Sequence, residues 1–395
     1  MKKVFGVGIV LLVVLLTVGL GIPQASAVSE QSVPIAQTTE VHLNPLYAEQ
    51  SAPKLQTAKD AAAEAADTYY TTVEDAAGFL REQMVNREAV IAFEYRTQID
   101  QDGLMRSILD EAMVHTGDPR QGDYLRWQYG GCNMIQSGYI RNGVYYLTLT
   151  YEMSYYTTAE QEQLVDSRIQ QLLEQLDVYD ARDYDKVKAI YDYICQSVTY
   201  DYDGLNRGDS TLIYTAYAAL INGTSVCQGY ANLFYRLALE LSVDARLIAG
   251  IGNGGDHAWN IVKLGGKYYD LDATWDATYK QAGMDYRYFL RCEATFEDHI
   301  AGEDYRTAEF VSAYPMADGD YKPDRKPVIG DFNGDELVTD GDALYLLRYT
   351  LFPARYPISG DGDVNSDGSI TDGDALYLLR FTLFADRYPL YPKAQ

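Results

Sequence analysis

Apolar residues recur along the chain with two periods, and the periods divide it. Leu164, Val165, Ile169, Leu172, Leu173 and Leu176 fall on one face of a helix, which Thr158 and Gln161 open as a capping box. Asp183 opens a second helix with Val187, Ile190, Ile194 and Val198 inward, and Cys195 beside that stripe reads as a buried structural thiol. Val226, Tyr230, Leu233, Phe234, Leu237 and Leu241 make a third stripe, for which Ser225 and Gln228 predict the capping box. A short helix over residues 215–220 leads towards it. The period then drops to two. Residues 245–251 read as a strand, and residues 257–264 and 267–272 flank Gly265-Gly266, a two-residue hairpin turn. The glycine-rich residues 252–256 read equally as a mobile loop that gates a cleft or as an ordinary strand connection. Upstream, Asn142-Gly143 predicts a hairpin between residues 134–141 and 144–151. Residues 88–97 read as a strand, residues 58–82 as an Ala- and Glu-rich helix, and residues 28–57, which have no period, as a linker.

The third stripe carries chemistry. Cys227 falls in the first turn of its helix, among backbone N–H groups without helical partners, where the positive end of the helix dipole favours a thiolate. The Gly265-Gly266 turn pairs Leu264 with Lys267. Counting outward sets Trp259 opposite Asp272 and puts His257 and Asp272 diagonally on one face. A one-residue slip would separate them. Asp270 shares that face and competes as the partner of His257. A thiol, an imidazole and a carboxylate in this relation are the parts of an activated nucleophile: Cys227 attacks, His257 is base and then acid, and Asp272 orients His257. Trp259 and Trp275 read as core aromatics, His115 and Trp127 as packing or surface residues, and residues 200–203 as an aromatic-rich loop.

Cys227-Gln228-Gly229-Tyr230, His257-Ala258-Trp259-Asn260 and Asp272-Ala273-Thr274-Trp275-Asp276, in this order, resemble the core of the transglutaminase-like superfamily over residues 183–299. The resemblance implies an α+β, papain-like fold in which a helix bearing the cysteine packs on an antiparallel sheet bearing histidine and aspartate, and it favours Asp272 over Asp270. It also implies acyl transfer from an amide through a thioester, which passes to water or to an amine. Backbone N–H groups at the start of the Cys227 helix are expected to hold the oxyanion. Gln228 is the weaker donor, because the capping box employs it. Tyr286, Tyr288, Phe289 and His299 resemble the closing segment of the family's domain, with His299 in a structural role.

The last stretch is a repeat. Residues 331–352 and 363–384 agree at 16 of 22 positions at an offset of 32, too many for coincidence. Asp331, Asn333, Asp335, Thr339 and Asp342 stand at positions 1, 3, 5, 9 and 12 of a loop, and Asp363, Asn365, Asp367, Thr371 and Asp374 stand at the same positions of the second. Hard oxygen ligands at this spacing suit calcium, one ion in each loop. An apolar helix follows each loop and none precedes it. Paired half EF-hands of this kind resemble the type I dockerin module, which is small and all-α. That resemblance implies a cohesin domain of a scaffoldin as partner, and through the cellulosome a link to plant polysaccharide breakdown. The first copy departs from the pattern: Glu336 stands where position 6 wants glycine, which weakens the expected first site. Position 12 is Asp in both copies rather than the longer Glu.

Charge and export complete the picture. A formal charge of −25 makes nucleic acid and anionic membrane poor partners. Lys2-Lys3, the apolar residues 7–20 and Ala25-Ser26-Ala27 read as a secretory signal peptide, which places the cleaved chain outside the cell and off the membrane. The rival is an uncleaved anchor, since the apolar run is nearly long enough to span. Cys132, Cys195, Cys227 and Cys292, with Cys227 kept free, leave room for one disulfide or none, and their spacing shows no zinc pattern. The expected division is signal peptide 1–27, linker 28–57, N-terminal α/β subdomain 58–156, catalytic core 157–317, linker 318–329 and dockerin 330–395. The expected whole is a secreted, scaffold-bound cysteine peptidase that acts on a protein or peptide substrate and needs no cofactor for catalysis. A cross-linking transglutaminase and a non-catalytic binding module stay open as alternatives. No carboxylate pair in the core suggests a glycosidase.

Overall fold

The computed structural model describes residues 32–43, 69–100, 102–208, 210–281, 283–323, 329–334, 337–358 and 361–390. The signal peptide, most of the residues assigned to the first linker, residues 324–328 of the second, and Asp335 and Glu336 lie outside the described residues. The chain divides into two compact units, residues 1–162 with 202–215, and residues 163–201 with 216–395.

The first unit contains β1 (Val33–Leu43), β2 (Tyr69–Tyr70), α1 (Val73–Val85), β3 (Val90–Thr97), α2 (Leu104–Ala112), α3 (Asp123–Arg126), β4 (Tyr129–Arg141) and β5 (Val144–Tyr155). Its sheet has the order β1-β4-β5-β3-β2. The expected hairpin forms, with Arg141 opposite Val144 and positive φ at both Asn142 and Gly143, as a two-residue turn of the right hand requires. Leu80, Met84, Ile108, Leu149 and Tyr151 fill the core beneath it. Two expectations fail here. Part of the supposed linker is β1, which pairs with β4 at the sheet edge. Its side chains are mostly exposed, so no buried face wrote a period into the sequence. Of the helix expected over 58–82, residues 58–68 lie outside the described residues, and the described part is helical only from Val73, in α1, which starts where Thr72 Oγ1 accepts the Asp75 N–H at 3.2 Å.

The helix α4 (Ala159–Leu176), whose first residues belong to the first unit and the rest to the second, begins at the predicted box: Gln161 Oε1 accepts the Thr158 N–H, and Thr158 Oγ1 accepts the Gln161 N–H. Val165, Ile169, Leu172 and Leu173 are buried, but Leu164 is exposed, because it lies on the flank of that stripe. Then come α5 (Asp183–Ser197), β6 (Thr199–Tyr200), α6 (Tyr202–Arg207, part of the first unit), a π-helical turn Ala218–Asn222 where a short helix was expected, and β7 (Thr224–Ser225). They lead to α7 (Cys227–Glu240), β8 (Ala245–Gly252), β9 (Gly255–Leu264), β10 (Lys267–Leu271), α8 (Ala273–Gln281), β11 (His299–Ala301) and α9 (Ala308–Ala313). The antiparallel sheet has the order β10-β9-β8-β11, and α7 packs against β8, β9 and α5.

The stripe on α7 understates its burial. Gln228, Asn232, Tyr235 and Arg236 are buried along with the six stripe residues, so this is a central helix rather than an amphipathic one. Arg236 is tolerated there because Asp166 at 2.7 Å and Glu240 at 3.2 Å accept its guanidinium. Residues 252–256 form a strand connection. Asn253-Gly254 is a tight turn with positive φ at both residues, and it joins paired Gly252 and Gly255.

At the C-terminal end α10 (Asp340–Leu351) and α11 (Asp372–Leu383) pack on each other over Phe332, Leu346 and Leu378. Each opens on a capping box, Thr339 with Asp342 and Thr371 with Asp374. Among the described residues no helix is long and apolar enough to cross a membrane.

Candidate active site

Cys227 stands at the first position of α7. The chain arrives extended from β7, which pairs in parallel with β6, and turns at Val226. No side chain caps the helix. Ser225 stands one residue earlier, in β7, with its carbonyl accepting the Asp201 N–H and its hydroxyl on the Val226 carbonyl. The Gly229 N–H of the first turn is used locally, 2.9 Å from the Val226 carbonyl. Cys227 is half-buried, and Cys132, Cys195 and Cys292 are buried; all four thiols are free. Burial pushes the Cys132 thiol up to about 12 and raises Cys195 further, so neither is a rival nucleophile at neutral pH.

The hairpin holds the predicted register, from Leu264 opposite Lys267 to Asn260 opposite Leu271. The diagonal pair meets: His257 Nε2 lies 2.8 Å from Asp272 Oδ2, with the carboxylate fully buried. Because Nε2 faces Asp272, Nδ1 is the nitrogen left for Cys227, whose side chain is among the causes that raise the His257 pKa. Burial by itself would lower the His257 pKa, but the charge and hydrogen bond of Asp272, together with Cys227, raise it to about 10. Burial would likewise raise Asp272, yet the imidazole beside it and the bonds from His257 and His299 hold it well below the usual carboxylate range.

The other aspartates have separate work. Asp270 does not reach His257. Its Oδ1 accepts the Trp259 indole N–H at 3.1 Å, and burial pushes its pKa to about 7. Asp276 accepts the Tyr191 hydroxyl and the N–H groups of Arg287 and Tyr288, tying α8 to α5 and to the closing segment. Trp275 stacks on the His257 ring with centroids 4.9 Å apart, so it is more than core filling. His299 is the residue that sequence reasoning placed elsewhere: its Nε2 lies 3.2 Å from the same Asp272 oxygen that His257 uses. The one signal for it was its place beside Tyr288 in the closing segment.

In the second repeat loop Asp363, Asp367 and Asp374 bring carboxylate oxygens within 4.8 Å of one another. Gly368 at position 6 has φ near +94°, the sharp turn such a loop needs. Asp374 Oδ1 accepts the Asn365 N–H and Oδ2 the Thr371 N–H, so one group both caps α11 and turns its charge towards the loop. Three converging hard oxygens fit a hard divalent cation, and the chemistry it supplies is neutralisation of their mutual repulsion. In the first loop Asp342 makes the matching bonds to the N–H groups of Phe332, Asn333 and Thr339.

Residues 170–273 match the family model of the transglutaminase-like superfamily, and residues 329–381 match that of the type I dockerin domain. Kyphoscoliosis peptidase of Mus musculus and its counterpart from Homo sapiens are each 30% identical over 138 residues, which is 30% of this chain. The chain spans only 21% of the length of these curated relatives. A solved structure titled as that of a TGase aligns over 49% of this chain and 56% of its own, at 18% identity and a TM-score of 0.27. The protein thus carries a transglutaminase-like core, in which a cysteine-bearing helix packs on an antiparallel sheet, followed by a type I dockerin domain of two short helices.

Proposed function

We propose that the protein is a secreted cysteine peptidase, held on a scaffold by its dockerin. The observation that carries this reading is the 2.8 Å bond from His257 to Asp272, with Cys227 at the start of a buried helix. In the proposed reaction the Cys227 sulfur attacks the amide carbonyl carbon, and first-turn N–H groups of α7 receive the oxyanion. A His257 held near 10 carries its proton at neutral pH and delivers it to the leaving amine, giving a thioester. Water, deprotonated by the now neutral His257, then releases the acid, and the Cys227 thiolate leaves beside the reprotonated imidazole. Asp272 stays ionised throughout and keeps the imidazole aligned.

Hydrolysis is preferred over transamidation because the matched relatives are named peptidases. In the second repeat we assign Asp363, Asn365, Asp367, Thr371 and Asp374 to calcium, and in the first Asp331, Asn333, Asp335, Thr339 and Asp342. The occupied module is proposed to bind a cohesin of a scaffoldin, outside the cell. The test is mass spectrometry of a protein mixture incubated with the enzyme and an added primary amine. New N-termini without amine mass, absent with Cys227→Ala, are expected. Amine incorporation at glutamine side chains without backbone cleavage would replace this reading with cross-linking. Full activity of Cys227→Ala would end it.

A further inference from the structure

The Asp272 carboxylate serves two histidines. Its Oδ1 accepts the N–H groups of Thr274 at 2.8 Å and Trp275 at 3.2 Å, and its Oδ2 accepts from Nε2 of His257 and of His299. His299 enters from β11, the sheet edge, where it pairs with Gly252 of β8. Glycine is needed there: a Cβ on Gly252 would lie 2.8 Å from the His257 ring, and one on Gly250 would lie 2.1 Å from the Ile300 carbonyl. The two glycines let β11 and the His257 ring close up, and both imidazoles then reach one oxygen.

The protons on His299 can be counted from its partners. Nδ1 lies 2.9 Å from the Glu297 carbonyl, which can only accept, so Nδ1 carries hydrogen. Nε2 lies against an ionised carboxylate, which also only accepts, so Nε2 carries hydrogen as well. A ring with both nitrogens protonated is a cation. Its side chain is 1% exposed. Aromatic rings take the place of water: Phe296 stacks on it at 3.9 Å between centroids, and Trp275 lies at 4.3 Å. The other titratable or charged groups around it are His257, Tyr288 and, across the cavity that His299 helps to line, Asp270, Glu293 and Arg306.

We infer that His299 is a positioning residue: a second, cationic histidine that fills the remaining acceptor site of Asp272 and shares its charge with His257. This deepens the peptidase reading and rests on it. Two consequences follow. The carboxylate cannot rotate away when His257 passes its proton to the leaving group. His257 is also less basic than a private carboxylate would make it, which speeds release of that proton.

The experiment has two arms. Imidazole 15N and 1H spectra of the full-length Cys227→Ala variant test the proton count without any need for activity. Two ring N–H signals for His299 at neutral pH are expected, and a single ring proton overturns the proposal. In the active protein, His299→Phe should lower kcat on the order of tenfold to a hundredfold with KM little changed, the usual effect of losing a supporting partner. The basic limb of its rate profile should move to higher pH. His299→Gln keeps a neutral donor, so it should recover most of kcat while keeping the shifted limb. A purely structural residue would lower the folded fraction and leave the limb in place, and that result overturns the proposal even if His299→Phe fails to fold, since His299→Gln reports the same limb. Failure of the peptidase reading shows separately, as activity that survives Cys227→Ala.

Discussion

Asp272 and Asp374 are both fully buried carboxylates, and the protein treats them in opposite ways. Asp272 accepts four hydrogen bonds, two from backbone and two from imidazoles, and the positive charge beside it belongs to the chain. Asp374 also accepts backbone N–H groups, but the charged groups that converge on it are two further carboxylates, Asp363 and Asp367. A buried anion must be compensated or it takes up a proton. The core carries its compensation as side chains and is complete when folded. The repeat loop gathers like charges, and the proposed calcium would complete it from outside. The first arrangement suits chemistry that must be ready at every encounter. The second suits an attachment that can be switched by an ion.

The largest expected effect breaks the first arrangement. Asp272→Ala should lower kcat/KM on a fluorogenic peptide by roughly a thousandfold or more, as loss of a triad carboxylate does elsewhere. Asp270→Asn, which removes a carboxylate one step along the same strand face, should cost less than tenfold, because Asp270 bonds Trp259 and not His257. Equal losses from the two variants would mean that the register argument names the wrong aspartate.

Next is removal of the outside cation. With chelator, the full chain should lose its α10–α11 melting transition while that of the core stays put, since ion binding in such a loop is folding energy. Retention on an immobilised cohesin should fall at least about a hundredfold in affinity and return with added calcium, since a ligand present at 100 times its dissociation constant contributes about 2.7 kcal/mol. Asp374→Ala should reproduce the loss without chelator. Cohesin binding that ignores both treatments would show that the loops are completed by the protein itself, as Asp272 is.

The two regions also differ in how much of them could be read from sequence. The convergence of Asp363, Asp367 and Asp374 was legible from spacing, because a loop fixes its donors locally. The His257–Asp272 pair was legible for a related reason: Gly265-Gly266 sets the register, and register sets the face. What was hidden depends on contacts between distant segments. His299 reaches Asp272 from an edge strand of three residues, too short to carry a period. Ser225, expected to open the Cys227 helix, also belongs to β7 and pairs with β6, a contact that no local rule announces. The edge strand β1 lacks a buried face and so looked like linker. Local rules fail where a tertiary partner outbids them.

A pH series sharpens the comparison, with smaller effects. Asp272 is held below its ordinary value near 3.8, so its contribution is full above about pH 4 and is lost as pH falls through the folded value. His257 is raised from 6.5 to about 10, so its contribution is full below about pH 6.5 and is lost as pH rises through 10. These are two readings of one ion pair. The stability of the core should therefore form a plateau between about pH 4 and 6.5, with limbs on the order of 2–4 kcal/mol. Asp272→Asn should flatten both limbs in thermal melts. Limbs that persist in that variant would place the titration on other groups.

The smallest expected effect separates the two loops from each other. Gly368 holds φ near +94° with open space around its Cα, so any side chain there meets a backbone penalty and no clash. The sequence has Glu336 at position 6 of the first loop, and a residue with a Cβ that had to take the turn of Gly368 would do so at a cost of about 1 kcal/mol. That is roughly a fivefold change in a dissociation constant. Gly368→Glu should therefore weaken calcium binding at the second loop by about that factor, and Glu336→Gly should strengthen the first by as much. Asp363→Ala should cost more cohesin affinity than Asp331→Ala, because it removes the stronger site. Calcium titrations followed by calorimetry on the full chain resolve these steps. If Glu336→Gly leaves the first step unchanged, the glycine does not govern the affinity of these loops, and the ranking of Asp363 above Asp331 loses its basis.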